Sequence, residues 1–365
     1  MTRTAGWVLA GLACLAAGAA RAGPAAPPGP DFDVCEAAVR DHPERKESFR
    51  CFWQVAQARR AWDEAVRRLE AHLALDPANP RAKLTLAAVE WDRGADRTER
   101  LYREAADGFA AAADRNGEVF SCMGLAGFLR QRGRPAEAEP VLERALASAR
   151  QSGDPTLVAR VRIDQTVQAF ARSDFGQALR LLREAEEIAV ATNSTELRAR
   201  VLADKGYAFW ELAQYRKSLE AYSAQADLLR GLGAGFELAR ARQSIAVLAR
   251  TLHAEGEMEE QDVVRAEREA LDAAVGSGNR LMEASVRVLL SRDLDPQAAI
   301  AELEKPLPAV GGALARSRFG KDAVNKAESV LERGRAALAA RDAAQLAAME
   351  EQLDRTLQLF RGLAG

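Results

Sequence analysis

Side chains suited to nucleophilic, acid–base or metal chemistry are few in this chain, and their spacing does not bring them together. The three histidines, His42, His72 and His253, stand far apart. The four cysteines, Cys14, Cys35, Cys51 and Cys122, lack the short paired spacing by which thiolates and imidazoles converge on a metal ion. Gly276-Ser277-Gly278 has the outline of a nucleophile turn, but no strand leads into it, so it reads as a loop between helices. No glycine-rich run ending in Lys-Ser or Lys-Thr is present to cradle a phosphate. The sequence therefore points away from an enzyme and requires no metal or other cofactor. What the cysteines can do is redox chemistry. Cys35 and Cys51 fall on two neighbouring predicted helices, where an oxidising compartment would allow a disulfide closing a loop of about 15 residues and contributing up to ~3 kcal/mol. Two buried thiols acting as small apolar side chains are the other reading. Cys122, on a later helix, is expected in the core.

Helices must do the positioning. From Pro155 to Ala234 one unit is written twice: a shift of forty residues superposes Leu157 on Leu197, Ala159-Arg160-Val161 on Ala199-Arg200-Val201, Asp164 on Asp204 and Phe175 on Tyr215. A fixed period of this size is the mark of a solenoid. Within the second copy Leu202, Gly206, Phe209 and Leu212 recur at helical steps, and Tyr215, Leu219, Tyr222 and Leu229 do so again. Each unit is thus a helical hairpin, and neither helix could bury its apolar face without stacked neighbours. Ala65, Ala105, Ala138, Ala178 and Ser218 mark one recurrent close contact. Helix formers dominate throughout, so the expected class is all-α. With 51 basic and 53 acidic residues the formal charge is −2, which argues against a general nucleic-acid binder.

Residues 1–22 are of another kind. Arg3 precedes an apolar run from Trp7 to Ala20, and Ala20-Arg21-Ala22 fits a small-x-small cleavage pattern, which predicts a secretory signal and an exported, periplasmic or extracellular chain. The run is shorter than the ~20 apolar residues of a membrane span, and no later segment could serve as one. Leu12-Ala13-Cys14 offers a lipoprotein anchor at Cys14 as the alternative, although Gly11 stands where a larger aliphatic residue is usual. Residues 23–31, rich in Pro and Ala, read as a tether.

Phe52-Trp53, Trp62, Ala65, Leu69, Leu75 and Asp76-Pro77 carry a likeness to a known family. With Ala65 as the packing alanine they fall where a tetratricopeptide repeat places its larger apolar positions and closing proline, and the chain resembles that family over about 46–304, in six or seven units. An inserted stretch is expected at Asp96 to Arg100. Units near forty residues exceed the usual thirty-four and look like an extended-helix variety. The resemblance implies an α-solenoid, a right-handed superhelix of helical hairpins spanning 32–304, that binds another protein or peptide. Phe49-Arg50-Cys51-Phe52-Trp53 is also similar to the repeat half of bacterial CHAT-domain proteins, in which such arrays precede a caspase-like protease. That domain needs a His and a Cys beyond the repeats. Here none follows, which leaves, as the alternative function, a regulatory or substrate-recognition partner of a CHAT-type protease encoded elsewhere.

Carrying the repeat pattern across, unit by unit, implies a groove lined by first helices. The first of these contributes Met123, Gly127 and Arg130, the next Arg160, Ile163, Val167 and Phe170, and the third Arg200, Ala203, Tyr207, Trp210 and Glu211. An aromatic stripe bordered by arginines suits an extended or helical peptide with acidic flanks. Packing between successive first helices is the competing role for the same side chains. After the array, a break at 305–318 leads to a predicted antiparallel hairpin at 319–361, which could cap the solenoid or bind a partner.

Overall fold

The computed structural model describes residues 31–278, apart from 44, 60 and 94–96, together with Glu283 and Val286. The predicted signal, the tether up to residue 30, the shortened last unit apart from Glu283 and Val286, the break at 305–318 and the terminal hairpin lie outside the described residues. Within them the chain is all helix: α1 (Phe32–Asp41), α2 (Lys46–Arg59), α3 (Trp62–Leu75), α4 (Pro80–Arg93), α5 (Thr98–Ala111), α6 (Arg115–Gln131), α7 (Pro135–Ser152), α8 (Pro155–Ala171), α9 (Phe175–Ala191), α10 (Thr195–Glu211), α11 (Tyr215–Leu232), α12 (Gly235–Ala254) and α13 (Glu260–Gly276). They form two compact units, one reaching Ala208 and one beginning at Phe209, so that the division falls inside α10.

In the first unit α1 precedes a series of hairpins, α2 with α3, α4 with α5, α6 with α7 and α8 with α9. Its core runs from Phe32, Phe49, Phe52 and Leu69 through Leu86, Leu125, Leu129 and Leu142. It continues with Ala145, Leu146, Leu157 and Val161, and then with Leu182, Ala185, Leu197 and Val201. In the second unit Ala239 and Ala246 of α12 pack on Ala270 and Ala274 of α13, with Val286 beside them. The five small residues at the recurrent contact are all fully buried. A larger side chain at any of them would hold two helices apart.

A finer ruler than the forty-residue unit governs the turns. The backbone enters the left-handed region at Ala113, Gly133, Gly153, Ser173, Asn193, Ala213 and Gly233, once every twenty residues. Such a residue ends each helix and lets the next begin at once. The following side chain often caps the new helix: Asp114 accepts from Gly117 N at 2.9 Å, Asp154 from Thr156 N at 2.9 Å and Asp174 from Gln177 N at 2.8 Å.

Several helix ends depart from what spacing alone suggests. Asp114 caps α6, which opens at Arg115, and α5 ends before it at Ala111. Thr98 to Arg100 are no insertion: they form the first turn of α5, with Thr98 and Leu101 buried. Leu212, expected on the apolar face of α10, lies past its end and is exposed. Glu255 to Glu259 make the turn after α12, and α13 starts at Glu260.

Candidate functional site

The first helices α6, α8 and α10 carry the same positions forty residues apart, and the side chains there differ in kind. On α6 they are Gly124, Gly127 and Arg130. Tyr102 of α5 lies over Gly124, where a Cβ would overlap its ring, and a Cβ on Gly127 would come 2.7 Å from Trp91 Cη2. Trp91 in turn stands edge-on to Tyr102 and Phe128, with centroids 6.1 and 6.2 Å away, and its indole donates to Gln131 Oε1. Aromatic rings from the preceding hairpin thus fill this face of α6 at the glycines.

Forty residues on, α8 offers Asp164, Val167 and Phe170. The Phe170 ring meets Tyr207 of α10 edge to face at 4.8 Å and lies 6.1 Å from Phe175. Phe170, Val167 and Tyr207 are each half-buried, so part of the stripe reaches solvent. Burial pushes the Asp164 carboxyl up from the ordinary range, against the opposing pull of the Arg130 and Arg200 guanidiniums. Arg200 Nε also stands 3.6 Å from Asp204 Oδ2, and Asp204 is itself buried. Positive and negative groups therefore alternate across α6, α8 and α10: Arg130, Asp164, Arg200, Asp204. Arg130 Nε and Nη1 and the Gln168 amide nitrogen are buried without a hydrogen-bond acceptor among the described residues.

The residues named from sequence divide accordingly. Phe170 and Tyr207 come together, and Arg130 and Arg200 both act on Asp164. Arg160 reaches Glu196 on α10 at 3.3 Å. Met123 packs on the cluster of Val119, Cys122 and Leu146. Ile163 is a correction: at 3% exposure it belongs to the core with Leu182, Ala185 and Leu197, because it points between α8 and α9 rather than outward. Trp210, in the second unit, packs on Tyr215 at 5.3 Å. Sequence reasoning used Asp164 and Asp204 only to set the period, yet an acidic residue repeated beside Val161 and Ile163 on an apolar helix was itself a signal of a polar site. Gln168 gave no such signal. Elsewhere, Cys35 of α1 and Cys51 of α2 are joined by a disulfide with Cα atoms 5.5 Å apart, and Cys122 is buried and free. Among the described residues no group of His, Cys, Asp or Glu could hold a metal ion, and no helix is long and apolar enough to cross a membrane.

The hairpin geometry has known counterparts. The tetratricopeptide repeat profile matches residues 121–156, from within α6 through α7. In structure the chain is similar to a signal transduction ATPase with numerous domains (STAND) that has a tetratricopeptide repeat sensor, PH0952 from Pyrococcus horikoshii, at 15% identity and a TM-score of 0.59, over 90% of this chain and 50% of that one. The fold is that of a tetratricopeptide-type α-solenoid, and one hairpin matches the repeat itself. A second similar structure is the APC/C hetero-tetramer Cut9-Hcn1, at 20% identity and a TM-score of 0.49, over 76% of this chain and 45% of that one. The chain thus spans about half the length of these structures, and the likeness is one of fold. No curated protein matches it in sequence.

Proposed function

We propose that this tetratricopeptide array is a non-catalytic scaffold that binds a peptide segment of another protein along α6, α8 and α10. The observation that carries the reading is the half-buried Phe170–Tyr207 pair on adjacent first helices, which leaves part of its surface to solvent. Aromatic and arginine side chains are what concentrate binding energy at protein interfaces. An apolar anchor on the peptide would seat on the rings, and an acidic flank would face the bordering arginines. Export, to the periplasm or beyond, is part of the proposal; the pattern of residues 1–22 supports it, as does a disulfide, which persists in oxidising compartments. Anchoring through Cys14 is the variant of this proposal.

The test begins with capture of partners from a periplasmic extract, followed by affinity measurement on Tyr207→Ala and Arg130→Gln. Tyr207→Ala is expected to weaken binding by about 2 kcal/mol, roughly thirtyfold, with the helical signal retained. Wild-type affinity in both variants would sink the groove. Loss of the helical signal in Tyr207→Ala would return that ring to the core. A second reading, a partner of a CHAT-type protease, rests on the likeness of Phe49-Arg50-Cys51-Phe52-Trp53. Recovery of a caspase-like protease in the captured fraction would favour it.

A further inference from the structure

The N-terminal helix of the array is held in an unusual way. At ten residues α1 is too short to persist as an isolated helix. It lies across α2 and α3, where Phe32 stacks on Phe52 at 6.1 Å and Cys35 and Val39 are buried. Beneath it His72 of α3 stands edge-on to both Phe49 and Phe52, at 5.6 and 5.7 Å. Apart from Phe32, Cys35 and Val39, what joins α1 to the repeats is polar: Glu36 to His72 Nε2 at 2.7 Å, and Asp33 to Arg68 at 2.8 Å. The Asp33 carboxylate is largely in solvent, where an ion pair holds little. The covalent tie from Cys35 to Cys51 adds to this small set of contacts, in which Phe32, Cys35 and Val39 are the buried side chains that α1 supplies.

Its two sulfur-bearing residues differ in access. Cys35 is fully buried, and Cys51 is partly exposed. Exchange requires a thiolate to reach the sulfur that it attacks. We propose that Cys51 is a thiol-exchange site, and that opening the disulfide there releases α1 and uncovers Phe49, Phe52 and His72. The reductant is a thiol or dithiol. Its thiolate attacks Cys51 Sγ, a bond forms between the two sulfurs, and the Cys35–Cys51 bond breaks. Cys35 departs as a thiolate and takes a proton from water. A second reductant thiol then displaces Cys51, which is protonated in turn, and the reductant leaves as its own disulfide. Cys122 does not compete: it is buried, and loss of hydration pushes its thiol up to about 11. This reading is independent of the peptide groove, and the groove variants leave it untouched.

The experiment uses the full oxidised chain. After brief exposure to glutathione and quenching with N-ethylmaleimide, mass mapping is expected to place glutathione on Cys51 and maleimide on Cys35, by about tenfold over the reverse. Full reduction with a phosphine should then speed amide exchange in 32–41 by about tenfold or more and leave α8 unchanged. Glutathione on Cys35, or a disulfide that does not react, would overturn the exchange site. Unchanged exchange in 32–41 would overturn the release, and so would loss of protection through α8, which would make the bond a staple of the whole array.

Discussion

Helix α6 and helix α8 hold the same place in consecutive repeats and use it in opposite ways. At α6 the positions are glycine, and Tyr102 and Trp91 close over them. At α8 they are Asp164 and Val167, and what lies over them is a half-exposed stripe with a carboxyl set between two guanidiniums. A solenoid repeats its backbone, not its surface. The residue type at one register decides whether the neighbour packs there or leaves it to another molecule.

The largest expected break in this contrast is Gly124→Ala. The new methyl overlaps the Tyr102 ring, which is itself buried and cannot swing aside, so the variant should lose about 1–3 kcal/mol. That corresponds to a drop of several degrees in Tm, read by calorimetry. The matching change on α8 should act with the opposite sign. A carboxyl whose folded pKa is raised binds its proton more readily when folded, so its ionisation costs stability above that folded pKa, and the cost disappears below the unfolded value of about 3.9. Asp164→Asn is therefore expected to raise Tm at pH 7 and to change it little near pH 3.5, about the unfolded value. A lower Tm at pH 7 would mean that Arg130 and Arg200 outweigh the desolvation. The smallest effect belongs to the turns around these helices. Ala113 and Ala213 adopt a left-handed conformation that favours glycine, and each Ala→Gly change should gain roughly 0.5–1 kcal/mol. Gly153→Ala should lose a similar amount, with chemical denaturation as the measure.

Most of the array could be read from residue spacing because it is a matter of period: the buried small residues at 65, 105, 138, 178 and 218 recur whatever surrounds them. Helix starts were harder. Asp114 and Thr98 take part in local capping and packing that a forty-residue comparison averages away. The site was legible in part: the forty-residue register sets Phe170 opposite Trp210 and Val167 opposite Tyr207, whereas the Phe170 ring meets Tyr207, a turn earlier on α10, and Trp210 packs on Tyr215. Ile163 departs from its register, because an aliphatic side chain at a wall position can turn inward by a fraction of a helical step, and only the placement of Leu182 and Leu197 decides which way it goes. Gly127 departs in the same way: it holds a wall register, yet rings contributed by Trp91 and Tyr102 from outside the unit close over it and over Gly124.

The even spacing of the turns bears on how such a chain can change length. Gly153 and Asn193 are both left-handed turn residues, and each is followed by a residue whose side chain caps the next helix, Asp154 on Thr156 and Ser194 on Leu197. Removing residues 154–193 would join Gly153 directly to Ser194 and leave a turn of the same grammar, and copying the same segment would do so as well. The molecule is punctuated so that gene duplication or loss of one hairpin makes a clean join, which gives the array an editable length independent of whatever its surface has come to recognise.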